Sequence, residues 1–204
     1  MATRQAGFCI LVATDGSAQA GAAIATAVDA PWPARTQVRA IVARQSGAPH
    51  RRSILLSSLD RSADDAAARA RHALAGRWPA VEAVVADKSP VEGVLSEAER
   101  FRADVIVVVG WRGYGAVRRL LMGSVSRGVV RRAKCAVLVV RRRPLRMRRI
   151  VIGFDASPHA LRAVTLVGKL VPPRDGSVIL VSVVELLASL TRAGSWWHSI
   201  DGWP

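Results

Sequence analysis

The fold class predicted for residues 1–143 is α/β, an open five-stranded parallel sheet with helices on both faces, and three observations predict it. Five short apolar runs alternate with helical patterns along the chain. The runs are continuously apolar, as strands buried on both faces are, rather than alternating. Successive parallel strands need crossover connections, and a helix-length segment separates each run from the next. At 204 residues, half of them hydrophobic, the chain can bury one such core with residues to spare.

The elements follow in order. FCILVATD (8 to 15) is a short apolar run ending in a turn signal. Ser17 is placed to cap the helix AQAGAAIATAVDA, which stops at the breaker PWP (31 to 33). TQVRAIVAR (36 to 44) is the second strand and SGAPHRRS (46 to 53) a loop. DRSADDAAARARHALAGRW (60 to 78) is the second helix, with Asp64 and Asp65 in its first turn, where they suit the helix dipole. VEAVVAD (81 to 87) is the third strand, and after KSP the segment VEGVLSEAERFRA (91 to 103) is the third helix. DVIVVVG (104 to 110) is the fourth strand. SVSRGVVRRA (124 to 133) makes a helix with Val125, Val129 and Val130 on one face, and CAVLVVR (135 to 141) is the fifth strand.

RRRPLRMRR (141 to 149) holds six arginines around one proline and reads as a solvated connection, with the linker proper at 144–147. The pattern then restarts. RRIVIGFDASPHA (148 to 160) parallels GFCILVATDGSAQA (7 to 20), with Asp155 where the first copy has Asp15, and SVILVSVVE (177 to 185) parallels TQVRAIVAR. Residues 148–204 are therefore expected to be a truncated second repeat of strand, helix and strand. So small a unit must dock on the first domain, pair with another chain, or be partly disordered. The tail tryptophans Trp196, Trp197 and Trp203 are placed to anchor it on an apolar surface.

Charge and residue chemistry narrow the function. The formal charge of +15, mostly from arginine, favours acidic partners, although arginine-for-lysine usage beside abundant alanine is also what a GC-rich coding sequence produces. Cys9 and Cys135 fall inside apolar runs and read as buried thiols. His50, His72, His159 and His198 are scattered without ligand spacing, and CxxC and HExxH patterns are absent, so no metal site is expected. No apolar run approaches the ~20 residues of a membrane helix, and no cleavable leader precedes the first strand, which makes the cytoplasm the expected location.

The chemistry concentrates after the fourth strand, in GWRGYGAVRRLLMGS (110 to 124). Ligands of open parallel sheets bind beyond the carboxyl ends of strands where connections diverge. Gly110 would let a ligand lie against the strand end, and Gly113 would permit a tight turn. Gly123 and Ser124 precede a helix whose free amides favour an anion. The result is a phosphate cradle, with Arg118 and Arg119 either near phosphates or solvated. It is not a GxxxxGKS/T loop, because no lysine stands beside Ser124, so the machinery of a P-loop hydrolase is missing.

Gly110, Gly113, Gly123 and Ser124 match G-x2-G-x9-G-S/T, and the pattern resembles the ATP-binding motif of the universal stress protein family. ILVATDGS resembles the family's first strand end, and KSPVEGVL its third helix start. The resemblance runs over 7 to 143, and over 148 to 185 as the opening of a tandem copy. It implies the strand order 3-2-1-4-5, with ATP, alone or with Mg2+, between strands one and four. It also implies that Asp15 meets the ribose or adenine edge beside Ala13 and Thr14, and that Ala43 meets the base. Gly110, Arg112, Gly113, Gly123, Ser124, Val125 and Ser126 would then follow ribose and phosphates. Ala43 is smaller than the valine often found there, and Asp155 has no matching glycine loop, so one site per chain is expected.

The function so implied is an ATP-binding stress-response regulator. No general base, acidic pair or metal cluster accompanies the glycines, so ATP hydrolysis is expected to be slow or incidental. Two other readings stand beside it: a scaffold of the same fold without nucleotide, and nucleic-acid binding through the arginine surface, which would weaken steeply with salt. As an apolar edge strand, residues 135–141 are expected to be covered, either by a homodimer partner or by intrachain docking of the second repeat.

Overall fold

The computed structural model of the chain describes residues 7–44, 54–110, 123–141, 147–171 and 174–183, without the side chains of residues 44 and 54–61. Five strands, β1 (Cys9–Thr14), β2 (Gln37–Arg44), β3 (Glu82–Asp87), β4 (Val105–Val109) and β5 (Ala136–Val140), form one sheet in the order β3-β2-β1-β4-β5. Every pairing is parallel, with Ile10 opposite both Val38 and Val105, and Val105 opposite Ala136. The α/β class and the order 3-2-1-4-5 are those expected from the sequence.

The helices are α1 (Ala18–Asp29), α2 (Ile54–Ala75), α3 (Pro90–Phe101) and α4 (Ser124–Arg132). Side chains alternate across a strand, so β1 sends Ile10 and Val12 to one face and Leu11 and Ala13 to the other. The first pair joins Ala23, Ala27 and Leu74 of α1 and α2 in one cluster. The second joins Val94 and Ala98 of α3 and Val129 of α4 in the other. Ile10, Leu11, Val12, Ile106 and Val107 are fully buried, as strands covered on both faces require.

Three expectations need correction. The second helix begins at Ile54 rather than 60, so Asp64 and Asp65 lie well inside it, and its first turn holds no acidic residue. No proline or glycine occurs from 54 to 75, so nothing in the chain stops the helix from starting two turns earlier. Val130 is 42% exposed while Val129 is fully buried, because successive helical positions are rotated by about 100°. Cys9 and Cys135 are half-buried rather than buried, and neither forms a disulfide. Burial still pushes the Cys135 thiol up from its ordinary value.

Beyond β5 the chain forms β6 (Arg149–Gly153), α5 (Pro158–Lys169) and β7 (Ser177–Val181), a parallel two-stranded sheet with its crossover helix. Its geometry repeats the first strand-helix-strand unit 140 residues on, Asp15 to Asp155 and Ser17 to Ser157. Asp155 Oδ1 accepts from the Ser157 amide at 2.9 Å, and Ser157 Oγ from the Ala160 amide at 3.2 Å. In the first unit Asp15 Oδ1 accepts from the Ser17 amide at 3.1 Å, and Ser17 Oγ from the Ala20 amide at 3.2 Å.

The later unit touches the first through the Val171 amide, which donates to the Pro31 carbonyl at 2.8 Å. Met147, Leu166 and Leu170 pack on the cluster of Trp32 and Val140. Ile152 and Ala160 are also buried, but much of the unit's apolar surface is open among the described residues, with Val151, Leu161, Val178, Ile179, Leu180, Val181 and Val183 all exposed. The tail tryptophans and nearly all of the expected linker lie outside the described residues.

Candidate functional site

The site is built where connections diverge. From β1 the chain turns into α1 on one face of the sheet, and from β4, its neighbour, it continues to α4 on the other. Connections leaving in opposite directions open a crevice at the carboxyl ends of these two strands.

On the β1 side the wall is the turn Asp15-Gly16-Ser17. Thr14 Oγ1 accepts from the Gly16 amide at 3.1 Å, and Asp15 Oδ1 accepts from the Ser17 amide at 3.1 Å and from the Ser17 hydroxyl at 2.7 Å. Ser17 in turn caps α1. Asp15 thus has a local role in the turn, which orients its exposed carboxylate at the strand end. Gly16 has φ +74°, and a Cβ there would stand 2.6 Å from the Cβ of Ala66. Arg69 reaches the same turn, its Nη2 2.9 Å from that Cβ position. Sequence reasoning missed Arg69, and no local signal in α2 marks it.

The β4 side is a knot of backbone bonds. The Gly110 amide donates to the Val140 carbonyl at 2.7 Å, and the Gly123 amide donates to the Gly110 carbonyl at 2.6 Å. The hydroxyl of Ser126, 1% exposed, lies 3.1 Å from the Gly110 carbonyl and 3.0 Å from the Gly123 carbonyl. One hydroxyl proton shared between two carbonyls makes Ser126 a clasp between β4 and α4. Gly110 is needed for a different reason from the one expected. A Cβ there would sit 2.8 Å from Val139 Cγ1, so the missing side chain admits β5.

Gly123 is the N-cap of α4, without a side-chain cap, and the first intrahelical bond runs from the Arg127 amide to the Gly123 carbonyl at 2.9 Å. The amides of Ser124, Val125 and Ser126 therefore have no acceptor within the helix. The first turn carries no acidic residue, while Arg131 and Arg132 sit in the last, so nothing on the helix offsets the positive end of its dipole. Ser124 is exposed, and Val125 is half-buried against the α3 side.

Ala43, next to last in β2, is half-buried; a Cβ on Gly93 of α3 would approach its Cβ to 3.1 Å. Ala13 and Thr14, 7% and 8% exposed, line the end of β1. The fold thus brings Ala43, Asp15, Gly110 and Gly123 with Ser124 to one edge of the sheet. Arg112 and Gly113, like Arg118 and Arg119, lie outside the described residues. Among the described residues, no group of three or more His, Cys, Asp or Glu could hold a metal ion, and no helix is long and apolar enough to cross a membrane.

A parallel 3-2-1-4-5 sheet with an open helix N-terminus after β4 is an architecture of nucleotide-binding α/β proteins. The family model described as "Universal stress protein family" matches residues 9–141, and the chain belongs to that family. A universal stress protein of Thermus aquaticus is 44% identical over 63 residues, which are 31% of this chain and 45% of that relative, so the match spans less than half of the relative's length. A universal stress protein structure from Archaeoglobus fulgidus DSM 4304 aligns over 91% of this chain and 70% of its own, with TM-score 0.69 and 17% identity. A universal stress protein solved in complex with cAMP aligns over 67% of this chain and 98% of its own, with TM-score 0.46 and 26% identity.

Proposed function

We propose that the protein is a cytoplasmic ATP-binding universal stress protein that works by holding nucleotide, as a regulator, rather than by turning it over. The observation that carries this reading is the first turn of α4, uncapped and without acid, at the divergence point beside the Asp15 turn. In this reading Asp15 accepts from a ribose hydroxyl, Ala13 and Thr14 flank it, and Ala43 faces the base. The amides of Ser124, Val125 and Ser126 hold phosphate oxygens, and Gly110 and Gly123, whose own amides are engaged with the Val140 and Gly110 carbonyls, leave the approach to them clear of side chains. Ser126 contributes its amide, since its hydroxyl is engaged with the two glycine carbonyls. Arg112 and Gly113 complete the motif from the sequence, and Mg2+ would accompany ATP as its counter-ion. The reading also has the edge strand β5 pairing with a second copy.

The test is to extract and identify any nucleotide carried through purification, and to titrate ATP calorimetrically into the wild type and a Gly113→Val, Gly123→Val double variant. Saturable ATP binding that the double variant loses, with an unchanged circular dichroism spectrum, is the expected result. A wild type that binds no ATP with or without Mg2+ sinks the reading.

A further inference from the structure

We infer that Arg141 makes this site select nucleoside di- and triphosphates over monophosphates. The inference rests on the nucleotide reading above and names which nucleotides the site takes. Arg141 follows β5 directly, and its Cγ lies 3.3 Å from where a Cβ on Gly110 would stand, so its stem runs beside Gly110. Residues two apart along a strand share a face. Val139 packs in the cluster of Val125 and Val129, so Arg141 lies on the α4 side of the sheet. α4 returns antiparallel to the strands, which puts its open first turn at the same end of the same face. Arg141 is exposed, and no hydrogen bond or ion pair joins it to the described residues.

The strand order sets a line across the top of the sheet: Ala43 on β2, Asp15 after β1, Gly110 after β4, Arg141 after β5. Neighbouring strands lie about 4.8 Å apart. With the base at β2 and the ribose at β1, the first phosphate reaches β4 and the α4 amides. A second and third phosphate continue along the line to β5. A monophosphate ends short of the guanidinium. The chain has no lysine beside Ser124, so on the first turn of α4 the amides of Ser124, Val125 and Ser126 face the charge added by each further phosphate. An arginine at the end of the line supplies a cation whose planar fork fits phosphate oxygens in pairs.

The experiment titrates ATP, ADP and AMP into the wild type, Arg141→Met and Arg131→Met. Methionine keeps a stem of similar length beside Gly110, and Arg131, in the last turn of α4, controls for the loss of one positive charge. Arg141→Met is expected to weaken ATP and ADP by about tenfold or more and AMP by less than twofold, with Arg131→Met close to wild type. An Arg141→Met protein that loses nothing, or loses AMP as much as ATP, overturns the inference and leaves the nucleotide site standing. So does a wild type that binds AMP as tightly as ATP. A wild type that binds none of the three removes the site and the inference together.

Discussion

Glu97→Ala should lower stability by about 3 kcal/mol, because it breaks a buried ion pair and leaves the other charge behind. Arg39, on β2, places its Nη1 2.8 Å from Glu97 Oε1, with side chains 17% and 8% exposed. Its Nη2 donates to Glu82 of β3, and its guanidinium stacks on Phe101, 4.4 Å from the ring centroid. Glu97 also accepts from Arg100 Nε at 2.8 Å. Burial works against the Arg39 charge, but the hydrogen bonds and charges of Glu97 and Glu82 outweigh it and raise its pKa above the ordinary value. Without Glu97, Arg39 keeps only the largely exposed Glu82 as a carboxylate partner in this cluster, and Arg100 loses its own. Chemical denaturation reads the loss. An Arg39→Met, Glu97→Leu double variant should recover most of it, since an apolar pair of similar volume pays no desolvation cost. A Glu97→Ala protein within 1 kcal/mol of wild type would show that the cluster holds nothing together.

The second large effect has two signs. Gly16→Ala should destabilise the first unit by about 3 kcal/mol, combining the roughly 1–2 kcal/mol of a left-handed alanine with the collision against Ala66. The matching position 140 residues on is Ala156, which carries that conformation at φ 60°. Ala156→Gly should therefore stabilise the later unit by about 1 kcal/mol, slowing amide exchange across residues 149–181 about fivefold. The turn itself is kept in both units, and Ser157's hydroxyl and amide hold the Asp155 carboxyl below its ordinary range. Shifts of the same sign at both positions, or none at Ala156, would contradict the equivalence of the two turns.

These two sites also show what the sequence displays and what it hides. The five strands were legible because buried parallel strands are continuous apolar runs, and the strand at 149–153 with its Asp155-Ala156-Ser157 turn was legible from the same kind of apolar run and turn residues. Helix α2 was placed six residues late because Asp64 and Asp65 resemble a first turn, a local signal that the unbroken helical segment before them overrides. The Arg39 cluster joins residues 43 and 58 positions apart, and no local pattern reports a pairing of that range. A faint signal existed: Arg39 interrupts an otherwise apolar strand interior, and Glu97 shares the α3 stripe of Val94, Ala98 and Phe101. In the glycine region the positions were visible but the reason for one was not. Gly110 reads from sequence as room for a ligand, and only the register of β4 on β5 shows that the room is taken by Val139.

If the first turn of α4 receives the phosphates, Ser124→Asp should separate folding from nucleotide binding. Ser124 is exposed at the start of the helix, so a carboxylate there should stabilise the fold by about 0.3–1 kcal/mol through the helix dipole. The same carboxylate would face the phosphate charge, costing about 2 kcal/mol and weakening ATP about 30-fold. The measurement is an ATP titration of wild type and Ser124→Asp, with the melting temperature of each. A protein as stable as wild type or more so, with its ATP affinity lost, is the predicted result. Unchanged ATP affinity in that stable variant would place the nucleotide elsewhere.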